Sequence, residues 1–237
     1  KPRVFVHDHH NHIIALYAGC MEFGITIPLQ RHLRLPRPAY GEVDDLAFCW
    51  EAHRVLFGAA DVLLLVNASS RFAAFARMQP GDWRCWQDAA LAALRAALAD
   101  AGFDVSTIDA YLFFGGAPSV TRTHGRRPVA FLNVLVERLL PLSPSLDVRE
   151  PFPLEACRIA NEQLRCRAAG FEGLGLPSER FAADSRGRKC VVARSGRFSR
   201  RNRPFRATTG GRAVPAKRFG RCASTTCYHG RRQKGRQ

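Results

Sequence analysis

Acidic residues stop at Asp184, and that boundary limits how much of this chain can fold. All 20 Asp and Glu lie within the first 184 of 237 residues, whereas Arg186–Gln237 holds 17 Lys and Arg and no acid. The rest of the chain therefore keeps 19 of the 36 bases against all 20 acids, a net of −1, so the overall charge of +16 belongs to the tail. Arginine, glycine, serine and threonine dominate that tail, and no helical or strand period survives in it. Such a segment buries too little apolar surface to offset its ordering entropy. The expectation is a nearly neutral globular domain over residues 21–185 and a disordered, arginine-rich tail over 186–237. An acid-free stretch of this composition is also what a shifted reading frame of a GC-rich gene yields. Residues 1–20 read as an N-terminal extension, upstream of the true start, because coherent patterning begins at Met21.

Four lysines stand against 32 arginines in an alanine-rich chain, a usage that points to a GC-rich bacterial genome. Eight scattered cysteines form no C-x-x-C pair, which reads as reduced thiols in a cytoplasmic protein. Apolar runs such as Val62–Val66 are far shorter than the roughly 20 residues of a membrane span, so no membrane association is expected.

Hydrophobic patterning predicts the elements. Glu22–Thr26 is a short β-like run, followed by a helix over Ile27–Leu35 with Pro28 in its first turn. Leu46–Met78 reads as a β-meander. Its centre, Asp61–Asn67 (D-V-L-L-L-V-N), is a continuous branched run typical of a strand buried on both faces. Ala68-Ser69-Ser70 is a turn, and Arg71–Arg77 returns antiparallel to that strand. Asp82–Ala101 is the clearest helix, with Leu91, Leu94 and Leu98 on one stripe and Gly102 at its end. Tyr111–Phe114 reads as a strand after a short helical turn at Ser106–Ala110, and Ser119–Thr123 as its resumption. Pro128–Leu140 and Leu154–Arg167 are further helices. The fold class is α+β: a small mixed or antiparallel sheet, with a hairpin near 61–77, packed against about three helices.

Two segments carry a resemblance. L-V-N-A-S-S-R-F (Leu65–Phe72) closes a strand, and T-R-T-H-G-R-R-P-V-A-F-L-N (Thr121–Asn133) crosses from an extended segment into a helix. Their order and spacing resemble an uncharacterised bacterial family of unknown function, over residues 21–185. That family shows an L-V-N-x-x-T-R-[YF] turn and a later T-[KR]-T-x-x-R-x-x-x-x-x-[LM]-N segment. Met21–Leu35 fits its opening strand and helix, and Trp50 fits a tryptophan before its first sheet strand. The resemblance implies an α+β fold and no mechanism.

Thr121, Arg122, Thr123, His124, Arg126 and Arg127 gather hydroxyls, guanidiniums and an imidazole at the start of a helix. Free N–H groups and the positive dipole end favour a phosphate or carboxylate there, and arginine adds forked donors. Arg71 joins this anion-binding set if its turn folds over it. The plainer alternative leaves these arginines solvated or paired with Asp109, Glu137 or Glu150, with Thr123 capping the helix. Asn67 and Asn133 read as structural polar residues, Asn133 through a hydrogen bond to the neighbouring sheet.

His7-Asp8-His9-His10-Asn11-His12 and Cys222-x4-Cys227-x-His229 lack the surroundings that a metal site requires, so no metal and no cofactor is assigned. No P-loop, dinucleotide fingerprint, nucleophile elbow or H-E-x-x-H is present. Three functions stay open. The first is a module that recognises an anionic, phosphate-containing group at the helix start. The second is a hydrolase or nuclease using His124 with Arg122 or Arg126. The third is non-specific nucleic-acid binding by residues 186–237.

Overall fold

The computed structural model describes residues 3–7, 13–17, 20–142 and 150–185. The expectations for the 186–237 tail, its disorder, nucleic-acid binding and cysteines, and for His9, His10 and His12, lie outside the described residues. Strands β1 (Arg3–His7) and β2 (Ile13–Tyr17) pair antiparallel as a separate two-stranded sheet.

The main sheet has five strands: β3 (Glu22–Ile25), β4 (Cys49–Phe57), β5 (Ala60–Asn67), β6 (Ala73–Met78) and β7 (Ser119–Arg122), in the order β6-β5-β4-β3-β7. β4, β5 and β6 form the expected antiparallel meander. β3 runs parallel to both β4 and β7, so the sheet is mixed. In β5, Val62 to Val66 are all 0% exposed. This is the burial expected of an uninterrupted branched run.

Helix α1 (Ile27–His32) links β3 towards β4, and α2 (Trp86–Asp100) follows β6 after a 3₁₀ turn at Asp82–Cys85. α3 (Val105–Gly115) leads to β7, and α4 (Arg126–Leu139) leaves it. α5 (Leu154–Arg158) runs into a π-helical turn at Ile159–Gln163, and α6 spans residues 177–185. Among the described residues, no helix is long and apolar enough to cross a membrane.

The expected strand at Tyr111–Phe114 is instead the second half of α3. Asp104 caps that helix by accepting from the Thr107 N–H at 2.9 Å. Tertiary contacts then hold the C-terminal half. Tyr111 stacks on Phe48 at 5.2 Å, accepts from Trp50 Nε1 at 2.9 Å and donates to the Ala47 carbonyl. Aromatic residues have near-neutral helix preference, so such contacts decide. The helix expected over Leu154–Arg167 also gives way, at Arg158. The π turn that replaces its second half aims Asn161 at Ala73, whose N–H and carbonyl it pairs at 2.7 and 2.9 Å. With the Pro151 carbonyl accepting from Arg77 N–H, this covers the outer edge of β6, which otherwise offers unpaired backbone groups.

Asn67 explains the L-V-N turn. Its Oδ1 accepts from the N–H groups of Ser69 and Ser70 and from Ser70 Oγ, while Nδ2 donates to the Ala47 carbonyl at 2.9 Å. Buried, it works as a turn template.

The apolar stripe of α2 is graded: Leu94 is 0% and Leu98 1% exposed, while Leu91 is half-buried. Leu94→Ala should therefore lower stability by about 2–5 kcal/mol, and Leu91→Ala by clearly less, in urea unfolding. Equal losses would show that α2 packs through a different face.

Candidate functional site: a buried acid–histidine cluster beside a cavity

Residues at the same register of neighbouring parallel strands share a face of the sheet. Glu22 is level with Cys49 and Ser119, and Gly24 with Glu51 and Thr121. Phe23, Ile25, Trp50 and Ala52 alternate with them and belong to the apolar core. The β7–β3–β4 region thus carries a second face that is polar and, unusually, buried. Glu22 is 3% and Glu51 0% exposed.

His124, just beyond β7, lies between the two carboxylates. Its Nε2 is 3.0 Å from Glu22 Oε2 and its Nδ1 3.3 Å from Glu51 Oε1, and its backbone N–H donates to Glu51 Oε1 at 2.7 Å. Both ring nitrogens can donate at once only in the imidazolium. Burial works against that charge, but the hydrogen bonds and charges of Cys49 and Glu51 prevail and raise the His124 pKa to about 10. Burial in turn pushes the Cys49 thiol up, against the pull of His124.

The other Glu22 oxygen accepts from the N–H groups of Glu42 and Val43 at 2.8 and 3.2 Å, which ties the 41–43 loop over the cluster. Glu51 Oε2 is buried and has no hydrogen-bond partner among the described residues. Glu22, Cys49 and His124 bring an oxygen, a sulfur and a nitrogen within 4.8 Å of one another.

Two glycines make room for this. A Cβ on Gly24 would lie 2.7 Å from Glu51 Oε2, 2.8 Å from His124 Nδ1 and 2.9 Å from Thr123 Cα. A Cβ on Gly41 would collide with Glu22 Oε2. Gly125 has φ of 146°, a conformation that favours glycine, and turns the chain from His124 into α4.

Next to the cluster lies a cavity of about 710 Å³. Its lining mixes aliphatic residues, Ile25, Ile27, Val129 and Leu132, with the polar Thr26, Gln30, Arg37, His53, Arg122 and Thr123. His53 Nδ1 is hydrogen-bonded to Thr26 Oγ1 at 2.9 Å, and burial lowers its pKa, favouring the neutral ring. Arg122 sits 4.2 Å over the Tyr40 ring and donates from Nε to the Pro38 carbonyl at 2.9 Å. Its guanidinium is thus fixed against the cavity wall by the 38–40 loop.

The residues expected to bind an anion together are divided among four places. Arg122 and Thr123 line the cavity, as does Asn133, which is exposed on α4 rather than buried against the sheet. Thr121 and His124 face the carboxylates, with Thr121 Oγ1 3.4 Å from His124 Nε2. Arg126 and Arg127 are exposed in the first turn of α4. Arg71 is buried in its turn at φ 70°, with its guanidinium donating to the Ala68 carbonyl. Burial lowers its pKa, and the charges of Glu51 and Arg127 act on it.

Sequence reading passed over Glu22, Cys49, Glu51 and His53. A signal existed: in C-W-E-A-H (Cys49–His53) polar residues fall at every second position, a period that marks one face of a strand.

Residues 22–179 match the family described as Domain of unknown function (DUF6933), and the chain belongs to that family. No curated protein matches it.

The close approach at Gly24 is testable. Gly24→Ala should cost about 1–3 kcal/mol, because the new methyl meets backbone as well as side chains. Gly81→Ala, where the added methyl meets open space and φ is −73°, should change stability by less than about 0.5 kcal/mol. Urea unfolding of the two variants gives the comparison, and equal effects would mean the cluster has slack.

Proposed function

We propose that the domain is a binding module for a small ligand that combines an apolar body with a phosphate or carboxylate. The cavity carries this reading: its lining combines Arg122 and Arg37 with the aliphatic side chains of Ile25, Ile27, Val129 and Leu132. A pocket of a few hundred cubic ångströms with a few placed polar groups is the usual form of a small-molecule site. Arg122 offers forked donors suited to an oxyanion. Thr123 stands just before α4, whose first-turn N–H groups and dipole favour negative charge. Neutral His53 and Thr26 add donors and acceptors that orient a ligand without repelling a neutral portion of it.

Catalysis by His124 with Arg122 is the weaker reading. A general base has to reach a bound substrate, and the His124 side chain is 6% exposed and held between two carboxylates. Arg126 stands in solvent on the far side of Gly125.

An aryl phosphate such as naphthyl phosphate should raise the melting temperature of the full chain more than inorganic phosphate does. At about 100 times Kd the stabilisation is about 2.7 kcal/mol, or about 5–10 °C for a domain of this size. Arg122→Ala should remove most of that rise, and Arg126→Ala should keep it. An equal rise in the Arg122→Ala protein would show general salt stabilisation and sink the proposal.

A further inference from the structure

We propose that Glu22, Cys49 and His124 form a binding site for a divalent transition-metal ion of the zinc class, with Glu51 holding His124 through its other ring nitrogen. This site is separate from the ligand cavity and does not rest on the reading given to it.

The donors come from three places in the fold that only the sheet brings together: the first residue of β3, the first of β4, and the loop after β7. One carboxylate oxygen, one sulfur and one imidazole nitrogen lie within 4.8 Å of one another. Tetrahedral ligands about 2.0–2.3 Å from an ion are about 3.3–3.8 Å apart, so these donors need close by no more than about 1.5 Å to hold one. The set is of borderline softness. A thiol and an imidazole suit zinc, cobalt or ferrous iron and not calcium or magnesium, which require oxygen cages.

The second observation is Glu51. A carboxylate oxygen in a residue that is 0% exposed, with no partner among the described residues, is costly to bury. This one is aimed into the cluster. It and His124 Nδ1 flank the point above Gly24 where a side chain would begin, at 2.7 and 2.8 Å. Set against Nδ1, this carboxylate orients the ring whose Nε2 faces Glu22, as supporting carboxylates do for metal-binding histidines. Glycine at 24 and at 41 keeps the space clear from both sides.

Binding through the imidazole nitrogen and the thiolate requires both groups to give up a proton to solvent as the ion enters. The sequence assigned no metal because the four residues are up to 102 positions apart and follow no ligand-spacing pattern.

Cobalt(II) titration of the full chain, under reducing conditions, tests this. One ion per chain should give a thiolate-to-cobalt charge-transfer band in the near ultraviolet. Cys49→Ser should abolish the band, while the double variant Cys222→Ser/Cys227→Ser keeps it. By competition with a chromophoric chelator, Glu51→Gln should weaken zinc binding by about 10–100-fold, and His124→Gln by more. X-ray absorption of the zinc-loaded wild-type protein needs no variant to fold. It should show one sulfur at about 2.3 Å with nitrogen and oxygen at about 2.0–2.2 Å. A band that survives in Cys49→Ser, a band lost in the tail double variant, or a shell with no sulfur or several would overturn the assignment.

Discussion

Two ionisable carboxylates, Glu22 and Glu51, stand on adjacent strands in a part of the sheet closed to water, and much of the surrounding structure serves to neutralise them. An isolated buried charge costs several kcal/mol even after relaxation. His124 answers it by bridging both acids. That bridge pins the loop after β7 against β3 and β4, and so sets where α4 begins. Glu22 meanwhile draws in the backbone N–H groups of Glu42 and Val43. The long connection between α1 and β4 is thereby held close to the sheet, where Pro38, Tyr40 and Gly41 take their positions.

The cavity depends on that arrangement. Its walls come from the segments that the cluster fixes: the 37–40 stretch of the tethered connection, Arg122 and Thr123 beside His124, and the first two turns of α4. Arg122 donates its backbone N–H to Ala39 and its Nε to Pro38, so the same loop that covers the acids also locks the guanidinium. A rigid arginine loses less freedom on meeting an oxyanion than a solvated one does. The buried polar cluster and the proposed ligand site are physically coupled through shared backbone, while their chemistries remain distinct.

On the opposite side of the sheet the fold is held by ordinary apolar packing with a polar stitch. Phe181 of α6 gathers Trp50, Phe72, Phe103 and Tyr111, with ring centroids 5.1–6.2 Å apart. Trp50 and Tyr111 satisfy each other's polar atoms and end on the Ala47 carbonyl, which Asn67 also reaches. One backbone carbonyl thus joins the L-V-N turn, the tryptophan of β4 and helix α3. Two of the sequence features that carry the family resemblance, Asn67 and Trp50, meet at this point.

The sequence by itself determined the elements whose cause is local. Asp61–Asn67 is a strand because a run of branched residues buries both faces, and α2 and α4 are helices because their apolar residues recur at helical spacing. The turn at Ala68–Ser70 follows from Asn67 within its own few residues. Tertiary structure decided what depends on distant partners. Tyr111–Phe114 is helical because Tyr111 is needed beside Trp50, 61 positions away, and the π turn at Ile159–Gln163 exists where Asn161 meets the edge of β6. The cluster is the clearest case. His124 looked like a member of a basic, anion-seeking helix start, since its neighbours Arg122, Arg126 and Arg127 are basic. Strand order gave it the opposite environment: β7 lies beside β3, and β3 beside β4, so its contacts are two acids 102 and 73 residues earlier. Sequence spacing carries no trace of that adjacency, because a parallel pairing is set by the whole crossover and not by either strand.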